Sequence, residues 1–219
     1  ALRPITCCDD TECLAGMTDE QGGYGFEALT YTPRKIELIA PDGFADLIFH
    51  QAVGAWLDPV AVTVPTMSAE RRPWPIAGGS PVVLSQGALT LTAQPGTVDF
   101  GIGVDASLSA TQVDFGALPP YLPAADGPAP WALAGAEGAA FLLNPLKITA
   151  SSPVALTLDE TLGNIPLSEV GTQYDLYAVD PDTAIAGHVG TATKDETGLV
   201  RSAADSTLTR FSALIIVKK

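Results

Sequence analysis

Charge is scarce in this chain, and positive charge is scarcest. Asp, Glu, Lys and Arg make up 16% of the 219 residues, against about 25% in an ordinary soluble domain. Lys and Arg number 11 against 25 Asp and Glu, a formal net charge of -14. So few cations argue against nucleic-acid and anionic-membrane partners, whose phosphates would repel the chain. Histidine occurs only at His50 and His188. Neither lies in an H-E-x-x-H or C-x-x-C-H pattern, and no G-x-S-x-G elbow accompanies them, so zincin, haem and serine-hydrolase chemistry lack their residues and an enzyme is not expected. Long hydrophobic runs are missing too. The nearest candidate, residues 128–145, is interrupted by Gly135, Glu137 and Gly138 between flanking prolines, which excludes a membrane-spanning helix there.

What the chain does contain is punctuation and alternation. With 21 Gly and 18 Pro in a 47% hydrophobic sequence, it is too interrupted for a helical bundle and too apolar for a linker. Strand signals recur over residues 24–29, 35–40, 60–64, 81–84, 88–93, 98–104, 146–150, 154–158, 174–179, 187–192 and 208–217, at the spacing of a sandwich or barrel. Leu89-Thr90-Leu91-Thr92 and Leu156-Thr157-Leu158 alternate strictly, one face for a core and threonine on the other. The expected fold is all-β, two antiparallel β-sandwich domains in tandem: residues 1–64, a Pro/Gly-rich linker at 65–80, and residues 81–219. A proline-rich stretch at 118–130 reads as a long connection crossing between sheets.

All three cysteines, Cys7, Cys8 and Cys13, fall at the N-terminus, and pairing either Cys7 or Cys8 with Cys13 leaves one thiol over. Structural bridging is the expected role, with the odd thiol suited to an intermolecular bond. The chain opens at Ala1 with no initiator Met, which fits an exported product freed of its signal, extracellular or on a cell surface.

Thr18-Asp19 followed by Gly22-Gly23-Tyr24, Phe26 and Leu29, then 36–40 and Pro41-Asp42-Gly43-Phe44, resembles the carboxypeptidase-regulatory-like, transthyretin-type domain over about residues 15–64. The resemblance implies a hairpin turn at 19–23 and strands before it. Only residues 1–17 precede that turn, so the first sandwich reads as one strand short, with an open sheet edge. Residues 80–219 resemble the ZU-five β-sandwich of ankyrins and netrin receptors, through the apolar block 82–93, Phe141 to Thr149, Tyr174 to Tyr177, and Arg210-Phe211-Ser212 before a last strand. That resemblance implies an interaction or spacing module.

Two site readings compete with turn and core chemistry. Asp175, Asp180 and Asp182 are candidate calcium ligands, as are Asp9, Asp10 and Glu12, and Asp195 and Glu196, although Asp180-Pro181 and Asp195-Glu196-Thr197-Gly198 read first as turns. Apart from that calcium no cofactor is expected. Trp74 and Trp131 are candidate sugar-stacking residues, since they and Trp56 all lie near prolines in expected loops. The expected function is a noncatalytic structural subunit of a bacterial cell surface or extracellular matrix, binding itself or another surface protein. Filaments would form by strand addition, with residues 1–6 or 208–217 completing a neighbour's sheet. The alternative is a glycan- or protein-binding module of a larger secreted enzyme or adhesin.

Overall fold

The computed structural model describes residues 2–8, 13–25, 34–39, 46–51, 64, 66, 72–73, 81–100, 107–124 and 128–219. Among these, every extended element is a strand and the helical elements are three single 3-10 turns, so the chain is all-β. The N-terminal strands are β1 (Pro4–Cys8), β2 (Cys13–Met17), β3 (Arg34–Leu38) and β4 (Leu47–Gln51), forming an antiparallel four-stranded sheet in the order β2-β1-β3-β4. Then follow β5 (Arg72–Pro73), β6 (Val82–Gln86), β7 (Leu89–Ala93), β8 (Val98–Asp99), β9 (Ser107–Val113), β10 (Leu122–Pro123) and β11 (Gly138–Asn144). The chain continues through β12 (Ile148–Ala150), β13 (Ala155–Leu158), β14 (Gln173–Val179), β15 (Ile185–Lys194), β16 (Val200–Ser202), β17 (Arg210–Phe211) and β18 (Ala213–Lys218).

The larger sheet runs β5-β9-β11-β18-β14-β15-β16-β13-β7-β6, with β10 added in parallel to β15, and a small sheet β17-β12-β8 lies beside it. The larger sheet rolls up. Gln86 of β6, at one end, accepts a 2.6 Å hydrogen bond from the Ala110 backbone N–H of β9, near the other end. One hydrophobic cluster fills the roll, with Leu89, Leu91, Phe141, Leu156, Leu158, Tyr174, Leu176, Leu214 and Ile216. The expected alternation is visible in β7 and β13, whose leucines point inward while Thr90, Thr92 and Thr157 are only half-buried.

β18 departs from alternation because both of its faces are covered. Leu214 and Ile216 join the inner cluster, while Ala213, Ile215 and Val217 join a second one with Ile5, Cys7, Ile36, Leu47 and Phe49 of the N-terminal sheet. The N-terminal sheet therefore packs on the outer face of the larger one and shares a hydrophobic cluster with it. Asn144 donates to Asp46 at 3.0 Å across the same junction. The tight pairing of β11 on β18 requires Gly138 (φ 149), where a Cβ would lie 1.9 Å from the Ile216 carbonyl oxygen.

Four expectations change in detail. Residues 1–17, expected to leave the first sheet a strand short, supply the hairpin β1–β2, so two strands precede the 19–23 turn. The expected single strand at 208–217 is two strands, because Ser212 donates backbone and hydroxyl hydrogen bonds to Val179 and the chain passes from the small sheet into the large one. Within the proposed donor segments, β1 lies between β2 and β3 and β18 lies between β11 and β14, so these two strands already have a partner on each side. Inside the expected linker, β5 pairs with β9. Within the expected 118–130 crossing, β10 pairs with β15 of the large sheet and Tyr121 is buried in the shared cluster, as is Trp131 just beyond it. Expected strands at 24–29 and 60–64 fall mostly outside the described residues, as does most of 65–80.

Candidate functional site

The cysteines sort by strand alternation. On β1, Ile5 and Cys7 are buried toward the shared cluster while Pro4 is exposed and Thr6 and Cys8 are half-buried. Antiparallel register sets Cys8 opposite Cys13 and Cys7 opposite Leu14, so the bridge is Cys8–Cys13 and the Cys7 thiol is interior, 3% exposed. An intermolecular bond through Cys7 would need that packing undone. The 19–23 turn forms as expected: Asp19 Oδ1 accepts from Gln21 N at 2.9 Å and Gly23 N at 2.7 Å, and Gly22 takes φ 87.

β2 is the outer strand of this sheet, with β1 as its partner among the described residues. Its sequence, Cys-Leu-Ala-Gly-Met, contains no charge and no proline. Cys13, Ala15 and Met17 are exposed while Leu14 packs inward. Pro4 pairs with Met17, and its carbonyl accepts the Ile39 N–H, which gathers exposed Leu2, Met17 and Ile39 at one end of the sheet.

Of the calcium candidates, Asp180 and Asp182 share one turn and one arginine while Asp175 is held by other partners, and no cluster able to hold a metal occurs among the described residues. Asp175, near the start of β14, lies 3.0 Å from both His188 Nε2 and Lys219 Nζ. Tyr177 meets His188 edge-on at 5.3 Å. Asp180 follows the end of β14 and caps a turn, its Oδ1 accepting from Asp182 N at 2.8 Å and Thr183 N at 3.0 Å, its Oδ2 from Arg210 Nε at 2.9 Å. Arg210 also donates to Asp182 through Nη2. Burial alone would raise the Asp180 pKa, but the two backbone N–H groups and the guanidinium outweigh it and hold it low. Asp195 likewise forms a hairpin tip, its carboxylate bonded by Thr197, Leu199 and Arg201. Residues 9–12 lie outside the described set.

Trp131 is a packing residue: 5% exposed, with its ring 5.2 Å from Tyr177 in an edge contact, it presents no face to a sugar. Trp56 and Trp74 lie outside the described residues, as does the His50 side chain. No family model, curated protein or solved structure matches the chain.

Two groupings escaped the sequence reading. The first is a buried network around Glu160 of the 160–162 turn, whose oxygens accept from Lys194 Nζ at 2.7 Å, Ser168 N at 3.0 Å, Ser168 Oγ at 2.9 Å and the Tyr174 hydroxyl. Lys194 also donates to the Ser168 carbonyl at 2.7 Å. Burial pushes Glu160 up, yet the lysine, tyrosine and serine donors prevail and bring it to about 2, while burial and the Glu160 bond raise Tyr174 to about 12. The second is a pocket of about 290 Å³ with Asp180, Thr183, Thr207, Thr209 and Arg210 on its polar side. Ala178, Ile185 and Val189 form its apolar side. Glu160 and Lys194 are 34 residues apart, so no local spacing could have announced the first grouping, and β17 brings Arg210 to Asp180 only through the sheet crossing at Ser212.

Proposed function

We propose that the chain is a noncatalytic structural subunit of a bacterial cell surface or extracellular matrix, assembling edge to edge through its N-terminal sheet. The observation that carries this is β2, which among the described residues is the outer strand of its sheet and has no charge, proline or bulge, with exposed Leu2, Met17 and Ile39 at its end. Natural edge strands usually carry such guards, and an unguarded edge is a template for pairing with another chain. Exposed apolar side chains beside it add area for burial on association. The Cys8–Cys13 bridge supports an oxidising compartment outside the cytosol. The net charge of -14 limits nonspecific association, so contact is directed to the uncharged edge. Pairing of β2 with a different edge of the next copy gives an open filament, whereas β2 on β2 closes into a dimer.

Light scattering after size exclusion, with negative-stain microscopy, tests the reading on the full chain. Wild type is expected to form filaments, and Ala15→Lys and Met17→Lys to leave monomers of unchanged melting temperature, since both side chains are exposed. A wild type that stays monomeric at high concentration, or filaments unaffected by both lysines, overturns it.

A further inference from the structure

We infer that the pocket beside Arg210 binds one neutral, polyhydroxylated unit, a monosaccharide or comparable polyol. This goes beyond edge-to-edge assembly and does not depend on it. The pocket sits at the far end of the β14–β15 hairpin from Glu160, and its volume of about 290 Å³ lies just below the roughly 300–1,000 Å³ of sites for drug-sized ligands.

The lining chemistry selects the ligand class. Arg210 gives one N–H to Asp180 and another to Asp182, and a guanidinium has more donors than these two bonds use. Its side chain is 46% exposed, so the remaining donors are within reach of a ligand. Thr207 and Thr209 hydroxyls make only long bonds to backbone carbonyls, at 3.3 and 3.4 Å, and keep lone pairs to accept. Donors and acceptors thus alternate around the rim, the pattern a row of ligand hydroxyls can match since each gives and accepts a hydrogen bond. Ile185 and Val189 supply an apolar wall for the ligand's C–H face.

Other classes fit worse. One guanidinium with two carboxylates leaves a local charge of about -1, which together with the overall -14 disfavours an anion. A metal ion needs several carboxylate oxygens directed at one point, and Asp180 Oδ1 is already committed to the turn N–H groups of Asp182 and Thr183. A wholly apolar ligand would leave the arginine and threonine groups desolvated and unpaired.

Gly187 makes the idea testable without disturbing the charges. It lines the pocket, and a Cβ added there meets open space, so Gly187→Leu fills the cavity with no clash at the Cβ. Isotope-labelled full chain is titrated with the methyl glycosides of glucose, galactose and mannose up to about 100 mM, enough to saturate a site of millimolar affinity. Saturable amide shifts confined to residues 183–189 and 207–210 are expected with at least one glycoside. Thr209→Val and Arg210→Ala should each weaken binding by roughly fivefold, the worth of one hydrogen bond, and Gly187→Leu should abolish it while the melting temperature holds. Sodium acetate and calcium chloride run as separate arms. No saturable shift with any glycoside, shifts that persist in Gly187→Leu, or a response to acetate or calcium alone overturns the inference.

Discussion

At one end of the β14–β15 hairpin, Lys194 meets Glu160 at 2.7 Å with side chains 10% and 0% exposed. At the other end, Arg210 meets Asp180 at 2.9 Å with side chains 46% and 31% exposed. The same pairing of charges does different work in the two places. In the dry cluster Ser168 and Tyr174 complete the coordination of the carboxylate, and this completeness is what offsets the desolvation of two ions. It fastens residues 160–168 to β14 and β15. In the wet cluster water screens the attraction, so the ions contribute little to stability and remain open to a ligand. Burial, more than pairing, separates a lock from a recognition surface.

The largest effect comes from leaving the dry pair half-made. Lys194→Ala strands the Glu160 carboxylate in the interior and should lower stability by about 3–5 kcal/mol in urea unfolding. The double replacement Glu160→Gln with Lys194→Met should lose less than Lys194→Ala alone, because no uncompensated charge remains. A double variant as unstable as the single would show that the hydrogen-bond shape, rather than the charge, carries the lock.

Acid sharpens the same contrast. Glu160 titrates at about 2 in the folded chain against an ordinary 4.5. Its folded pKa is the lower, so its contribution is complete above about pH 4.5 and is lost as pH falls toward 2, by about 3 kcal/mol in all. The melting temperature of the wild type should therefore fall more steeply across that window than that of Glu160→Gln. Parallel curves would place the acid sensitivity in the exposed carboxylates instead.

Much of the fold was legible because it rests on local pattern. Leucine–threonine alternation marked β7 and β13, and glycine and aspartate marked the 19–23 turn. Where two layers cover one strand, alternation fails as a guide: the run Ala213 to Val217 is buried throughout, and periodicity alone does not say which layer each residue meets. β1 and β2 were obscured by Pro4 and the cysteines, although Pro4 at the first position of a strand is compatible with a sheet. The site readings fared less well for a physical reason. Asp175, Asp180 and Asp182 are close in sequence, but Asp175 and Asp180 sit toward opposite ends of β14, Asp175 facing the C-terminal Lys219 and Asp180 facing Arg210 of another strand. Tryptophan near proline suggested a loop, and Trp131 does lie in a 3-10 turn, yet the turn is pressed onto the sheet.

The smallest expected effect lies at the wet end. Arg210→Ala removes the bonds to Asp180 and Asp182, but Asp180 keeps its hydrogen bonds from Asp182 N and Thr183 N, so the turn retains its cap. Exposed pairs are typically worth about 0–1 kcal/mol, and the change in urea unfolding should stay within that range and shrink further in high salt. The Asp180 pKa should rise toward the ordinary carboxylate range as the guanidinium is lost, which a carboxyl-detected titration would read directly. A loss as large as that of Lys194→Ala would mean that Arg210 is a structural tie between β17 and the 180–184 turn, and the contrast between the two ends of the hairpin would collapse.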